Sequence, residues 1–141
     1  MGVDINVWAV LLATASSMVI GSIWYAKPVF GNTWIRLAKI DMSKDNGPVW
    51  RPIVITLIVS LITAYVLAHV AYLSNQFFAN SFLQDSLTTA FWMWLGFTAA
   101  RIITHDAFEG RPAKLTAITI SHDLVTLRVM GLIIGLMDGV S

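Results

Sequence analysis

LTAITISHDLVTLRVMGLIIGLM, residues Leu115 to Met137, is apolar over a length that crosses a bilayer, yet His122, Asp123 and Arg128 stand well inside it. A hydrocarbon core about 30 Å thick takes roughly 20 residues of α-helix. Ionisable groups are expensive there, so they face a partner or a water-filled space. The stretch therefore predicts a membrane-spanning helix with protein or water on its polar side. At about 100° per residue, Thr119, His122, Asp123 and Thr126 share one face, and Ser121 and Arg128 lie nearly opposite. Polar groups on two faces predict protein on both sides, or protein on one and a neighbouring subunit on the other. Counted from Lys114 at the surface, Asp123 is about 14 Å deep, near the midplane, and Arg128 about 21 Å deep.

The rest of the chain supports a membrane setting. Of 141 residues, 57% are hydrophobic and only 12% charged, and the mean hydropathy is +0.72. Soluble domains are about a quarter charged. A net charge of +1 supplies no field for nucleic acid. The absence of cysteine excludes disulfides, thiol catalysis and Cys-based zinc sites.

Four apolar runs predict an all-α integral membrane protein of four transmembrane helices, forming a single domain over 1–141. The first, 5–25, has no Lys or Arg before its apolar run and is read as an uncleaved span rather than a signal peptide. It is rich in small residues, and Ser17 and Gly21, four apart, predict close helix packing. Trp24 and Tyr25 mark an interface, and Lys27-Pro28 ends the helix. Residues 32–40 predict a short amphipathic helix. Phe30, Trp34, Leu37 and Ala38 fall near one side and Arg36 and Lys39 on another, suited to an anionic cytoplasmic surface and, more sharply, to a lipid headgroup. The second span, 52–73, begins with Pro52 in its first turn; His69 near its far end reads as interfacial. A loop, Ser74 to Gln84, leads to Asp85 and Ser86 as helix starters and to the third span, 86–105. The charged turn Asp106 to Lys114 precedes the fourth span, 115–137, and Gly139 and Ser141 close the chain.

Lys27, Arg36, Lys39, Lys44 and Arg51 occupy the first connection, and Arg111 and Lys114 the third. The positive-inside rule makes both connections cytoplasmic and both termini external.

GSIWYAKPVFGNTW, Gly21 to Trp34, resembles a small bacterial membrane family catalogued as domain of unknown function 1761, in which Gly-x-x-Trp-Tyr precedes a Pro, Phe-Gly and Trp. Trp94-x-Gly96-Phe97, Phe108-Glu109-Gly110-Arg111, Leu124-Val125 and Met130-Gly131 extend the resemblance over nearly the whole chain. It implies a four-helix protein of the bacterial inner membrane and no particular activity. An acid at Asp123 departs from the apolar or aromatic residue more usual there.

Three constellations carry chemistry. Arg101, nearer the inner surface, is placed to reach Asp123, making either an internal salt bridge or one side of a proton or solute path through His122 and Asp123. Arg128 snorkels to the outer interface or meets an acid of a second chain. His105 and Glu109, four apart, with His122, make a weak metal alternative; a hydrated turn with i,i+4 pairing is the simpler reading. No phosphate loop, nucleophile elbow or zincin helix is present, so neither an enzyme nor a cofactor is expected. The expectation is a small oligomeric transporter or channel for an unspecified solute or ion. A membrane accessory protein binding a partner or lipid is the alternative, and a lipid-modifying enzyme at the His105–Glu109 turn is third.

Overall fold

The computed structural model describes residues 3–137. Gly139 and Ser141, expected to close the last helix, lie outside them. The described residues are helical with no strand. The elements are α1 (Val7–Trp24), a π-turn (Lys27–Gly31), α2 (Asn32–Leu37), α3 (Trp50–Phe78), α4 (Phe82–Met93), a π segment (Trp94–Ala99), α5 (Ala100–Glu109) and α6 (Ala113–Leu136). Three helices, α1, α3 and α6, are long and apolar enough to cross a membrane. Residues 82–109 form one unbroken helical run through the π segment.

Local chemistry explains most boundaries. Asn6 caps α1, its side-chain oxygen accepting from the Trp8 and Ala9 amides. Pro52 lies in the first turn of α3, where its missing N–H breaks no helical bond. Beyond 73, Ser74-Asn75-Gln76-Phe77-Phe78 holds no breaker, so α3 extends to Phe78 and the expected loop shrinks to Ala79–Ser81. Ser81, not Asp85, caps the next helix, accepting from the Gln84 amide. Asp85 is instead buried, at 3% exposure, and accepts from the side-chain amides of Asn75 at 2.8 Å and Asn80 at 2.9 Å. These two bonds pin the α3–α4 turn.

The helix expected over 32–40 ends at Leu37. Lys39 adopts the left-handed region, φ 55°, and the Lys39 and Ile40 amides donate back to the Arg36 and Ile35 carbonyls, a Schellman closure. Gly31 completes the preceding π-turn, its amide donating to the Ala26 carbonyl at 2.9 Å. A Cβ at Gly31 would collide with the Tyr25 oxygen and sit 2.8 Å from the Ala26 carbonyl carbon.

Small residues let the helices approach. Ala9, Ala13, Ala64, Ala68 and Ala90 join Val10, Leu67, Leu127, Met130 and Ile134 in one core. Gly131 and Gly135 of α6 face α4; a Cβ at 135 would lie 2.6 Å from Leu83 Cα, and one at 131 would lie 3.0 Å from the Ser86 oxygen. Leu115, Ile118 and Ala99 are buried outside this cluster. On α3 every residue from Trp50 to Val59 is exposed, and the first buried one is Ser60. α5 has no buried residue.

Candidate functional site

The core-facing stripe of α6 runs Thr116, Thr119, Asp123, Leu127, Met130, Ile134, at spacings of three and four. It is apolar and buried from Leu127 onward. Toward the N-terminus of α6 it becomes polar, and Thr116, Thr119 and Asp123 are only half-buried. On neighbouring faces Leu115 and Ile118 are buried, so α6 stays packed on both sides of Asp123, and only this stripe turns polar there.

The end of α1 fixes this region. Trp24 Nε1 donates to the Ile118 carbonyl at 3.2 Å, and Trp94 Nε1 to the Ile120 carbonyl at 2.8 Å. At the other end, Asn6 Nδ2 donates to the Met137 carbonyl at 2.9 Å. α1 therefore lies alongside residues 118–137 of α6. On that shared length Asp123 is about 8 Å from the Trp24 end and Arg128 about 15 Å, at a rise of ~1.5 Å per residue. α6 projects beyond the end of α1, an offset that counting from Lys114 did not foresee. Arg128 is the residue midway.

His122 Nδ1 donates to Asp123 Oδ1 at 2.8 Å, the tautomer following from a carboxylate that only accepts. The imidazole lies over Gly21, where a Cβ would meet Nε2 at 3.6 Å. Its ring is flanked by Tyr25, centroids 5.1 Å apart, and Trp24, 6.1 Å. Trp24 packs on Phe30 at 4.9 Å and Tyr25 on Trp34 at 5.5 Å. Trp24, Tyr25 and Trp34, expected as interfacial anchors, thus pack into a wall around His122, while Arg36 and Lys39 stay exposed. Thr119 Oγ1 donates to the Leu115 carbonyl at 3.1 Å, and Thr126 Oγ1 is 3.5 Å from His122 Nε2.

The expected face of Thr119, His122, Asp123 and Thr126 is therefore assembled, and Tyr25 joins it. The two arginines are not part of it. Among the described residues neither Arg101 nor Arg128 pairs with Asp123, so the expected salt bridge is corrected. An i+5 turn in the π segment inserts a residue and rotates α5 by about 100°, and Arg101 is exposed. Arg128 Nη1 donates to the Leu87 carbonyl at 3.0 Å, on the α4 flank, with Ser121 and Val125 exposed beside it.

The metal alternative fails on geometry. The described residues contain no cluster of three metal-ligating side chains. Asp106 Oδ2 accepts from Thr116 Oγ1 at 2.6 Å, which sets α5 level with Thr116 and leaves His122 about 9 Å further along α6. Arg111 pairs with Glu109 at 2.6 Å.

Sequence reasoning missed the Gly131/Gly135 crossing, visible as glycines four apart, and the Asn75–Asn80–Asp85 clamp, for which only the residue types gave a hint. The indole bonds of Trp24 and Trp94 had no sequence signal beyond the tryptophans themselves.

A family model described as "Protein of unknown function (DUF1761)" matches residues 8–135. No curated protein and no solved structure matches the chain.

Proposed function

The chain belongs to the family of proteins of unknown function DUF1761, and from its geometry we propose a small transport-type membrane protein with a solute site at Asp123. It crosses the bilayer four times, through α1, α3, residues 86–105 of the third helical run, and α6. Both termini are external, and the protein resides in a bacterial inner membrane. α2, with Arg36 and Lys39, rests on the cytoplasmic face, where basic side chains meet anionic lipid. One observation carries the reading. The core stripe of α6 changes from buried apolar to half-buried polar between Leu127 and Asp123. We read this polar stretch of the stripe as one side of a vestibule, with Thr119, Asp123 and Tyr25 on its wall and Leu127 and Met130 as its floor. By the charge asymmetry of the connections, the vestibule opens to the cytoplasm.

A second feature supports assembly. Arg128 is exposed midway along the bundle, and one carbonyl satisfies one of its five N–H donors. A guanidinium there calls for protein or water rather than lipid. The flank of Ser121, Val125, Arg128 and Leu132 is the face we assign to a second copy.

The chain has no cysteine, so single cysteines report accessibility directly. Cysteines at Thr119 and Thr126 are expected to react with a membrane-impermeant thiol reagent from the cytoplasmic side, and those at Met130 and Ile134 to stay unreactive. Flux into liposomes is expected to disappear in Asp123→Asn. Unreactive cysteines at both polar positions would sink the vestibule. Reactive cysteines without flux, together with a co-purifying protein, would replace transport by the accessory reading.

A further inference from the structure

Beside the turn at Ala79–Ser81, α3 and α4 leave a groove of about 440 Å³ between them. Its lining changes character along its length. Asn80, Gln84 and Asp85 line it next to the turn, and Val70, Trp92 and Met93 line it further along the two helices. From Gln84 to Met93 it follows α4 for about 14 Å. Leu83 and Ser86, on either side of Asp85 in sequence, stand against Gly135 and Gly131 of α6. The groove therefore lies about 12 Å or more along α6 from Asp123 and is a separate place.

The polar end carries a charge without a counter-charge. Asp85 is buried, and its two oxygens accept from the side-chain amides of Asn75 and Asn80. These bonds take two of about four acceptor positions on the carboxylate and neutralise none of its charge. The stretch from Ser74 to Gln84 has no lysine or arginine. Among the described residues no basic side chain pairs with Asp85. A buried charge left unpaired is costly, so a cation brought to this end gains more than one in water.

A molecule complementary to the groove is amphipathic, with an apolar tail and a head that ends in positive charge. A bilayer supplies that shape at the level of a helix end, as a phospholipid. A lipid of net negative charge would meet Asp85 with no cation to offset it. A zwitterionic lipid with an amine headgroup presents an ammonium instead.

We propose that this groove binds one zwitterionic phospholipid, its amine headgroup at Asp85 and Asn80 and an acyl chain along Val70, Trp92 and Met93. The site is independent of the Asp123 reading and shares with it only the bilayer setting.

The test is native mass spectrometry of the full chain in a mild non-ionic detergent. It is titrated with palmitoyl-oleoyl phosphatidylethanolamine and with the phosphatidylglycerol of the same acyl chains, so that the ratio of affinities reads the headgroup alone. One saturable phosphatidylethanolamine per chain is expected, bound about tenfold tighter than phosphatidylglycerol. Asp85→Asn is expected to bring that ratio close to one. Val70→Trp fills the groove and is expected to weaken both lipids about tenfold; it leaves the Asn75–Asn80–Asp85 clamp in place and serves if Asp85→Asn does not fold. No saturable lipid on wild type, or phosphatidylglycerol bound as tightly as phosphatidylethanolamine, overturns the proposal. So does a ratio that persists in folded Asp85→Asn, or lipid affinity unchanged in folded Val70→Trp. A dimer that excludes lipid and dissociates in Val70→Trp would give the groove to a second copy and overturn it as well.

Discussion

Gly135 sits against the backbone of another helix, and its substitution is a direct probe of the bundle. A Cβ at 2.6 Å from Leu83 Cα meets backbone, which cannot rotate away. Gly135→Ala is expected to lose about 1–3 kcal/mol, seen as a lower unfolding midpoint in detergent. Gly21→Ala places its Cβ 3.6 Å from His122 Nε2, an ordinary contact, and is expected to change stability by less than about 0.5 kcal/mol. Ser86 sits fully buried at the same crossing with its hydroxyl unpartnered among the described residues. Ser86→Ala is expected to be neutral or stabilising, by up to about 1 kcal/mol. Lys39 holds φ 55° on the surface. Lys39→Gly relieves that backbone strain and is expected to gain about 1 kcal/mol.

Between elements, the clearest device is the α3–α4 turn. The Asn80 amide does most to hold the Asp85 carboxyl below the usual carboxylate range; burial opposes it, and Asn75 adds to the lowering. A carboxyl lowered by folding stabilises the folded state above its unfolded pKa, and the gain is lost as pH falls through the folded value. Wild type is therefore expected to unfold at higher temperature than Asp85→Asn at neutral pH, with the gap narrowing in acid below about pH 4. A gap independent of pH would mean that the side chain matters for shape alone. The π segment is the second device at this scale. It begins at Trp94, whose indole is tied to α6, and Arg101 beyond it is exposed, so this one helical run braces the site without bringing a cation to it.

At the scale of the molecule, one end is packed by alanines, glycines and branched apolar residues, and toward the other the first ten residues of α3, Trp50 to Val59, stand exposed. In lipid an exposed apolar helix face is stable, so nothing forces α3 to close on α6. The exposed arginine on the α4–α6 flank is different, since lipid does not satisfy it. The mass in nanodiscs is expected to exceed that of one chain. Arg128→Ala is expected to shift the protein toward the monomer while folding is retained, because it removes a single carbonyl bond worth about 1 kcal/mol. A monomeric wild type would leave water, not protein, as the partner of this arginine.

Much of this architecture is readable in the chain itself. Apolar run lengths, the small residues of α1 and the polar face of α6 are one-dimensional signals, because helix geometry maps sequence spacing onto a face and a depth. The face of Thr119, His122, Asp123 and Thr126 came from that arithmetic, while the motifs around Gly21 to Trp34 carried the family resemblance that the match over residues 8–135 bears out. What required tertiary structure was everything set by the axial offset of one helix against another. Depth counted along α6 put Asp123 at the midplane. The indole bond of Trp24 shows that α6 overhangs α1, which puts Arg128, not Asp123, midway along their shared length. An inserted residue in the third helical run separated Arg101 from Asp123, and no propensity announces a π segment. Spacing within a helix is local and legible; offset and rotation between helices depend on which side chains meet, and only the packed structure decides that.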